Sequence, residues 1–269
     1  LLPKARFGYR IGHSPCVDHM MLDGLEDAYQ TGKPMGYFAE QCATKYQYTR
    51  EAQDDFAKTS VLRAQKAASE GKFDAEISPV TINSKKGEQL IDKDEGPQKI
   101  DPEKIAKLKP AFAKDGTVTA ANSSSISDGA SALTLMLQSV AERNNIPPLA
   151  VIKGHHTHSQ EPEWFTTAPV AAIQGLLKKI NWELDDVDLF EINEAFAVVA
   201  MVGKDELKIP HDKLNIHGGA CVLGHPIGAS GARILTTLIH ALKQNNLSRG
   251  VAALCIGGGE ATAIAIELI

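Results

Sequence analysis

Apolar positions return along this chain with two different periods. Over 49–71, "TREAQDDFAKTSVLRAQKAASEG", small and apolar residues recur every three to four positions. That spacing predicts a helix with Ala52, Phe56, Ser60, Ala64 and Ala67 facing inward, capped by Thr49 and stopped at Gly71. A shorter helix is predicted over "DHMMLDGLEDAY" (18–29). An extended piece, "EISPVTIN", then leads into a polar, lysine-rich stretch at 84–109. From Thr117 the texture turns small and apolar: "TVTAANS" reads as a strand and "DGASALTLMLQSVAERN" as a helix.

"NNIPP" (144–148) follows a helix end with paired prolines and is the best linker in the chain. We therefore divide the chain into 1–147 and 148–269. Beyond the linker the pattern gives a strand at 149–154, a helix at 169–180, a strand "VDLFEI" and a helix "AFAVVAMVGKDEL". A strand "KLNIH", a loop and a helix "ARILTTLIHALKQ" follow, the helix with Ile234, Leu235, Leu238, Ile239 and Leu242 on one face. "GVAALCIGGGEATAIAIEL" closes as two apolar strands around a glycine run, a hairpin with Cys255 near its turn. Strands alternating with helices indicate an α/β layered structure.

The composition, 43% hydrophobic and 23% charged, is that of a soluble globular protein, and no apolar run approaches the ~20 residues of a membrane span. A formal charge of −5 argues against general nucleic-acid binding. Four widely spaced cysteines without a CxxC pair suit a reducing compartment, and the cytoplasm is the expected location, with an organelle left open because the N-terminus reads as missing. The opening at Leu1 lacks the features of a signal peptide.

Three places can carry chemistry. Asn193 stands where a buried strand passes into a helix, so it can cap that helix, point into a ligand crevice, or do both. His225 lies in "GHPIGASGAR", where glycines either turn the chain tightly or clear room for a ligand and expose amide N–H groups. Cys255 precedes Gly257, Gly258 and Gly259; it is either a small buried hydrophobe or a thiol beside bare donors that could hold an oxyanion. His155, His156 and His158 suggest a metal site, but adjacent histidines on a strand point apart and no further ligand motif completes a set, so no metal is expected. The lysines of 84–109 alternate with acids and read as a solvated face.

Taken together, "NEAF" at 193–196, "GGA" with "GHPIG" at 218–228, and "CIGGG" at 255–259 resemble the thiolase family, and within it the acetyl-CoA acetyltransferases. The likeness extends to "DGLEDAY", "TREAQDDFA", "LKPAF" and "TVTAANSSSISDGA", covering nearly the whole chain. It implies two similar α/β half-domains in an α-β-α-β-α body, with a mostly helical loop domain over coenzyme A. Residues 1–147 then hold the loop domain and part of the N-terminal half, and 148–269 the complete C-terminal half. The resemblance implies condensation of two acetyl-CoA molecules to acetoacetyl-CoA and CoA, or the thiolytic reverse. In that scheme His225 activates a nucleophilic cysteine, Cys255 moves a proton at the second substrate's α-carbon, Asn193 holds a water at the enolate oxygen, and the Gly257 N–H meets the thioester oxygen. Ser124, Met35, Leu25, Phe112 and Ala121 fall where the family binds CoA and the acyl group. No cofactor is implied, because the CoA thioesters are substrates. The segment 5–21 falls where thiolases join into oligomers, so a homo-oligomer is expected.

This sequence departs from the family in two ways. None of Cys16, Cys42, Cys221 or Cys255 stands at the family's nucleophile, which lies before the stretch matched here. The chain on its own is therefore expected to lack that group, and a non-catalytic CoA-binding or assembly fragment is the competing reading. Pro34 occupies a position where short-chain thiolases often carry histidine, which leaves a longer-chain 3-ketoacyl-CoA thiolase open. A low pKa is expected for Cys255, since proton abstraction needs a thiolate.

Overall fold

The computed structural model describes all 269 residues. Its first half carries helices α1 (Met35–Tyr46) and α2 (Arg50–Ser69), a hairpin of β1 (Val80–Ser84) and β2 (Gly87–Ile91), and two short helices, α3 (Gly96–Lys99) and α4 (Gln138–Arg143). The second half runs β3 (Ala150–Ser159), α5 (Ala168–Ile180), β4 (Leu189–Ile192), α6 (Ala197–Leu207), α7 (Ala220–Leu223), α8 (Ser230–Gln244), β5 (Arg249–Ile256) and β6 (Glu260–Leu268).

One four-stranded mixed sheet, ordered β3-β6-β5-β4, organises the second half; β4 and β5 run parallel and the other pairs antiparallel. The period-2 alternation of a strand sorts its side chains between two cores. Val251, Ala253 and Cys255 of β5, with Ala261, Ala263 and Ala265 of β6, face a large cluster shared with α1, α5 and α6. Ala252 and Ile266 face a smaller one built on α8. All five apolar residues read from the α8 sequence lie in that smaller cluster, each stabilising the fold by about 1.5–3 kcal/mol on burial.

The α2 reading also holds. Thr49 Oγ1 accepts a hydrogen bond from Ala52 N at 3.1 Å, and Gly71 follows the helix at φ +67°. Of its predicted inward face, Phe56, Ser60, Ala64 and Ala67 are buried.

Four elements differ from expectation. The helix over 18–29 shrinks to one wide turn at Met21–Leu25. Asp27 Oδ2 takes Tyr29 N and Gln30 N, and Glu26 Oε1 takes Gly32 N, so side chains turn the backbone before a helix can extend. "TVTAANS" forms no strand beyond an isolated bridge from Ser123 to Phe196. Glu40 accepts Thr117 N and Val118 N, and Asn122 Oδ1 accepts Thr119 N, so its amides are already satisfied by side chains. The helix over 128–144 forms only at 138–143; Ser131 meets Thr236 and Leu133 packs on the α8 cluster, a spacing of two that belongs to extended chain. "KLNIH" is reduced to a bridge between Phe190 and Leu214, because the Asn215 side chain, at φ +46°, binds both Ile192 N and Ile192 O.

No helix is long and apolar enough to cross a membrane. The segment 5–21 is almost wholly exposed, with Phe7 90% accessible and Ile11 fully so.

Candidate active site

Parallel strands end together, and the C-terminal ends of β4 and β5 define the edge where ligands bind in α/β proteins. Asn193, next after β4, donates its backbone N–H to Ala253 O at 3.0 Å, which fixes it beside the last residues of β5. Asn193 is only 2% exposed, yet neither its Oδ1 nor its Nδ2 has a partner in the protein. Buried amides are nearly always satisfied, so one with both ends open points to a water or ligand. Asn193 does not cap α6: the cap position belongs to Phe196, without a side-chain cap bond.

The neighbouring Glu194 has the opposite character. Its buried carboxylate accepts Ser60 Oγ at 2.8 Å, Asn215 Nδ2 at 2.9 Å and Cys221 N at 3.1 Å. It ties α2, the 215 loop and α7 to the end of β4, and Gly219 packs against it so closely that a Cβ there would fall 2.3 Å from the carboxyl carbon. Sequence reasoning passed over Glu194; its signal was a second acid, three residues after Glu191, just beyond the end of a buried strand.

His225 follows α7 through Gly224, whose φ of +83° and contact with Ser127 admit only glycine. That glycine is mechanical. Gly228, by contrast, has open space where a Cβ would be, so it does clear room. The His225 backbone N–H donates to Ser125 O at 3.3 Å, and its Nδ1 lies 2.5 Å from Ser230 Oγ at the start of α8. Desolvation first, then the nearby Arg233 guanidinium, lowers its pKa below the usual histidine value, so the ring is neutral around pH 7.

Cys255 is the penultimate residue of β5, paired with Ala261 and 8% exposed. The expected low pKa is not found: burial pushes the thiol up to about 12, against a small lowering from its own backbone amide. Cys255 therefore holds its proton at rest. The glycine run after it is largely a turn, with Gly258 at φ +95° and Gly259 at +88°. Gly259 also passes against Gln160 O, where a Cβ would come within 2.2 Å. The exposed Gly257 N–H donates to no backbone or side-chain acceptor.

The remaining predicted positions form the surroundings. A Cβ on Gly257 would lie 3.4 Å from Met35 Sδ, and one on Gly258 4.0 Å from Tyr29, so the 26–35 loop covers this turn. Phe112 stacks over Gly36 and meets Phe196 edge-on at 6.1 Å. Leu25 is half-buried next to Gly24, which faces Ile227. Ala121 is buried in a separate cluster with Val61 and Val222, behind the edge. Ser124 Oγ donates to Ala195 O at 3.0 Å, which leaves its lone pairs for a donor. His156 and His158 lie on the same face of β3 and His155 on the other, as strand alternation requires. Within the polar stretch Lys99 pairs with Glu95 and Lys104 with Asp101.

Residues 2–139 match the thiolase N-terminal domain model and residues 146–268 the thiolase C-terminal domain model. A protein of Staphylococcus aureus (strain COL) described as "Probable acetyl-CoA acyltransferase" is 46% identical over 269 residues, 99% of this chain and 68% of its own length. The crystal structure of the Bacillus anthracis acetyl-CoA acetyltransferase superposes with a TM-score of 0.94 at 42% identity, covering 98% of this chain and 67% of that one. Human mitochondrial 3-ketoacyl-CoA thiolase gives 0.90 at 35% identity, covering 100% and 68%.

Proposed function

The chain belongs to the thiolase family of acyltransferases, and from that premise we propose that it carries the carbon–carbon bond-forming half of an acetyl-CoA acetyltransferase. The reaction joins two acetyl-CoA molecules to acetoacetyl-CoA and CoA, or cleaves acetoacetyl-CoA with CoA. The observation that carries this reading is Asn193: a 98%-buried amide with neither end satisfied, at the strand edge that also ends in Cys255. An enolate oxygen, directly or through a water, would satisfy that amide.

Each remaining group then has a task. The Cys255 thiol, protonated at rest, gives its proton to the α-carbon in thiolysis; in condensation it first passes that proton to the CoA thiolate that leaves on acyl transfer and then takes one from the α-carbon. The neutral His225 ring acts as the base that activates a thiol for acyl transfer. The free Gly257 N–H meets the thioester oxygen as it gains charge. None of the four cysteines occupies the acyl-carrying position that the family resemblance assigns, so we place that nucleophile outside these residues. The thioester brings its own activation, so the scheme needs no cofactor, and the exposed apolar side chains of 5–21 fit self-association.

A longer-chain substrate is the second reading, favoured by Pro34 at the entrance to α1, next to Met35. Thiolysis rates for acetoacetyl-CoA and for a long 3-ketoacyl-CoA, measured on protein that includes the acyl-carrying cysteine, decide the matter. The short-chain reading expects the higher kcat/KM with acetoacetyl-CoA; the reverse order overturns it. Cleavage of neither leaves the non-catalytic CoA-binding fragment.

A further inference from the structure

Ser230 is fully buried in the first turn of α8, one residue past the cap position held by Ala229, so its hydroxyl is not engaged in capping. Its Oγ lies 3.0 Å from Pro226 O on one side and 2.5 Å from His225 Nδ1 on the other. We infer that Ser230 is a positioning residue that holds His225 in its Nδ1-protonated tautomer, leaving the Nε2 lone pair as the only base on the ring. The inference rests on the reading of His225 as the catalytic base.

The assignment follows from counting protons. A hydroxyl has one hydrogen, and a carbonyl oxygen can only accept. If the Ser230 hydrogen pointed at Nδ1, Oγ and Pro226 O would face each other across 3.0 Å with no hydrogen between them, a repulsive contact at a fully buried hydroxyl. The hydrogen therefore lies toward Pro226 O. Oγ then presents a lone pair to Nδ1, and Nδ1 must carry the ring's proton. Backbone groups hold both ends of this relay: Pro226 O also accepts Ala229 N and Ser230 N, and the His225 N–H is tied to Ser125 O. The lowered pKa that burial imposes keeps a second proton off Nε2.

The relay is read by nitrogen-15 NMR of imidazole-labelled protein at pH 7.5, with the His225 signals among the nine histidines identified by their loss in His225→Gln. Wild type should show the Nδ1-protonated form, and Ser230→Ala should move His225 toward the Nε2-protonated form. Ser230→Cys, close in size and a poor acceptor, should do the same and stands in if alanine costs the fold. An Nε2-protonated ring in wild type overturns the inference, as does a Ser230 variant with an unchanged tautomer. Neither readout needs turnover, so absence of thiolase activity with the expected tautomer shift would count against the proposed function alone. In active protein, Ser230→Ala should lower kcat by about tenfold with KM little changed, less than the 10²–10⁴-fold worth of a general base. A rise in KM at constant kcat would mark a merely structural role and overturn the assignment.

Discussion

Alkylation tests how strongly the fold suppresses the Cys255 thiolate. The side chain lies near the end of β5 among apolar residues, with Ala253 and Ala261 on its own face and both essentially inaccessible. Burial raises its pKa from 9.0 to about 12. That shift lowers the thiolate fraction about 10³-fold at any pH well below 9 and corresponds to about 4 kcal/mol against ionisation. The thiolate is the species that reacts with iodoacetamide. At pH 8, native Cys255 should therefore react about 10³-fold more slowly than the same residue in urea, while exposed Cys16 reacts early in both. Peptide mapping by mass spectrometry over a time course gives both rates in one experiment. Native labelling of Cys255 within tenfold of its unfolded rate would refute the burial reasoning and restore an activated thiolate. The expected result leaves Cys255 protonated at rest.

Two further outcomes follow from buried carboxyls and from the glycines. Glu76 and Glu191 are raised by burial to about 7 and about 8, so the native state holds their protons more tightly than the unfolded chain, and the stability this contributes is full below pH 4.5 and lost as pH rises through 7–8. His217, lowered to about 4, acts in the opposite sense only below its ordinary 6.5. Thermal melts should therefore fall from pH 6.5 to 8, and Glu191→Gln should flatten that slope by removing about 1–2 kcal/mol of it; an unchanged slope refutes the assignment. Gly259→Ala, with φ +88° and a Cβ 2.2 Å from Gln160 O, should cost at least about 2 kcal/mol in urea unfolding, while Gly228→Ala, in open space, should stay within about 0.5 kcal/mol. Equal effects would show that the two glycine loops are under the same constraint.

The sequence was most legible where one period governs one face. The α8 stripe, the α2 face with its Thr49 cap, and the closing hairpin each declare themselves because a single buried surface selects their residues. Misreadings fell where side chains replaced the backbone ladder. Asn215 and Asn122 each bind main-chain groups that a strand would have used, and an apolar alternation cannot reveal that. The 128–144 segment failed differently: its small apolar residues suit helix and strand alike, and only contact with α8 selects the extended form.

The candidate site was legible as chemistry but not as electrostatics. Motifs drew attention to Asn193, His225, Cys255 and Gly257 as candidates, because few residue types suit acyl transfer or enolate stabilisation and glycine marks bare donors. Protonation states depend on what surrounds a group, and those surroundings are assembled from distant parts of the chain. Cys255 is protonated because α1, α5 and β6 bury it, although its immediate neighbours in sequence suggested an activated thiol. Asn193 and Glu194 make the same point from adjacent positions. Both are buried and both are polar, but Ser60, Asn215 and Cys221 converge on the glutamate while nothing converges on the asparagine. Satisfied, Glu194 fastens the edge of the sheet. Unsatisfied, Asn193 retains hydrogen-bonding capacity that a reacting oxygen can use, and the stability forgone at that one residue is held in the fold by its neighbour.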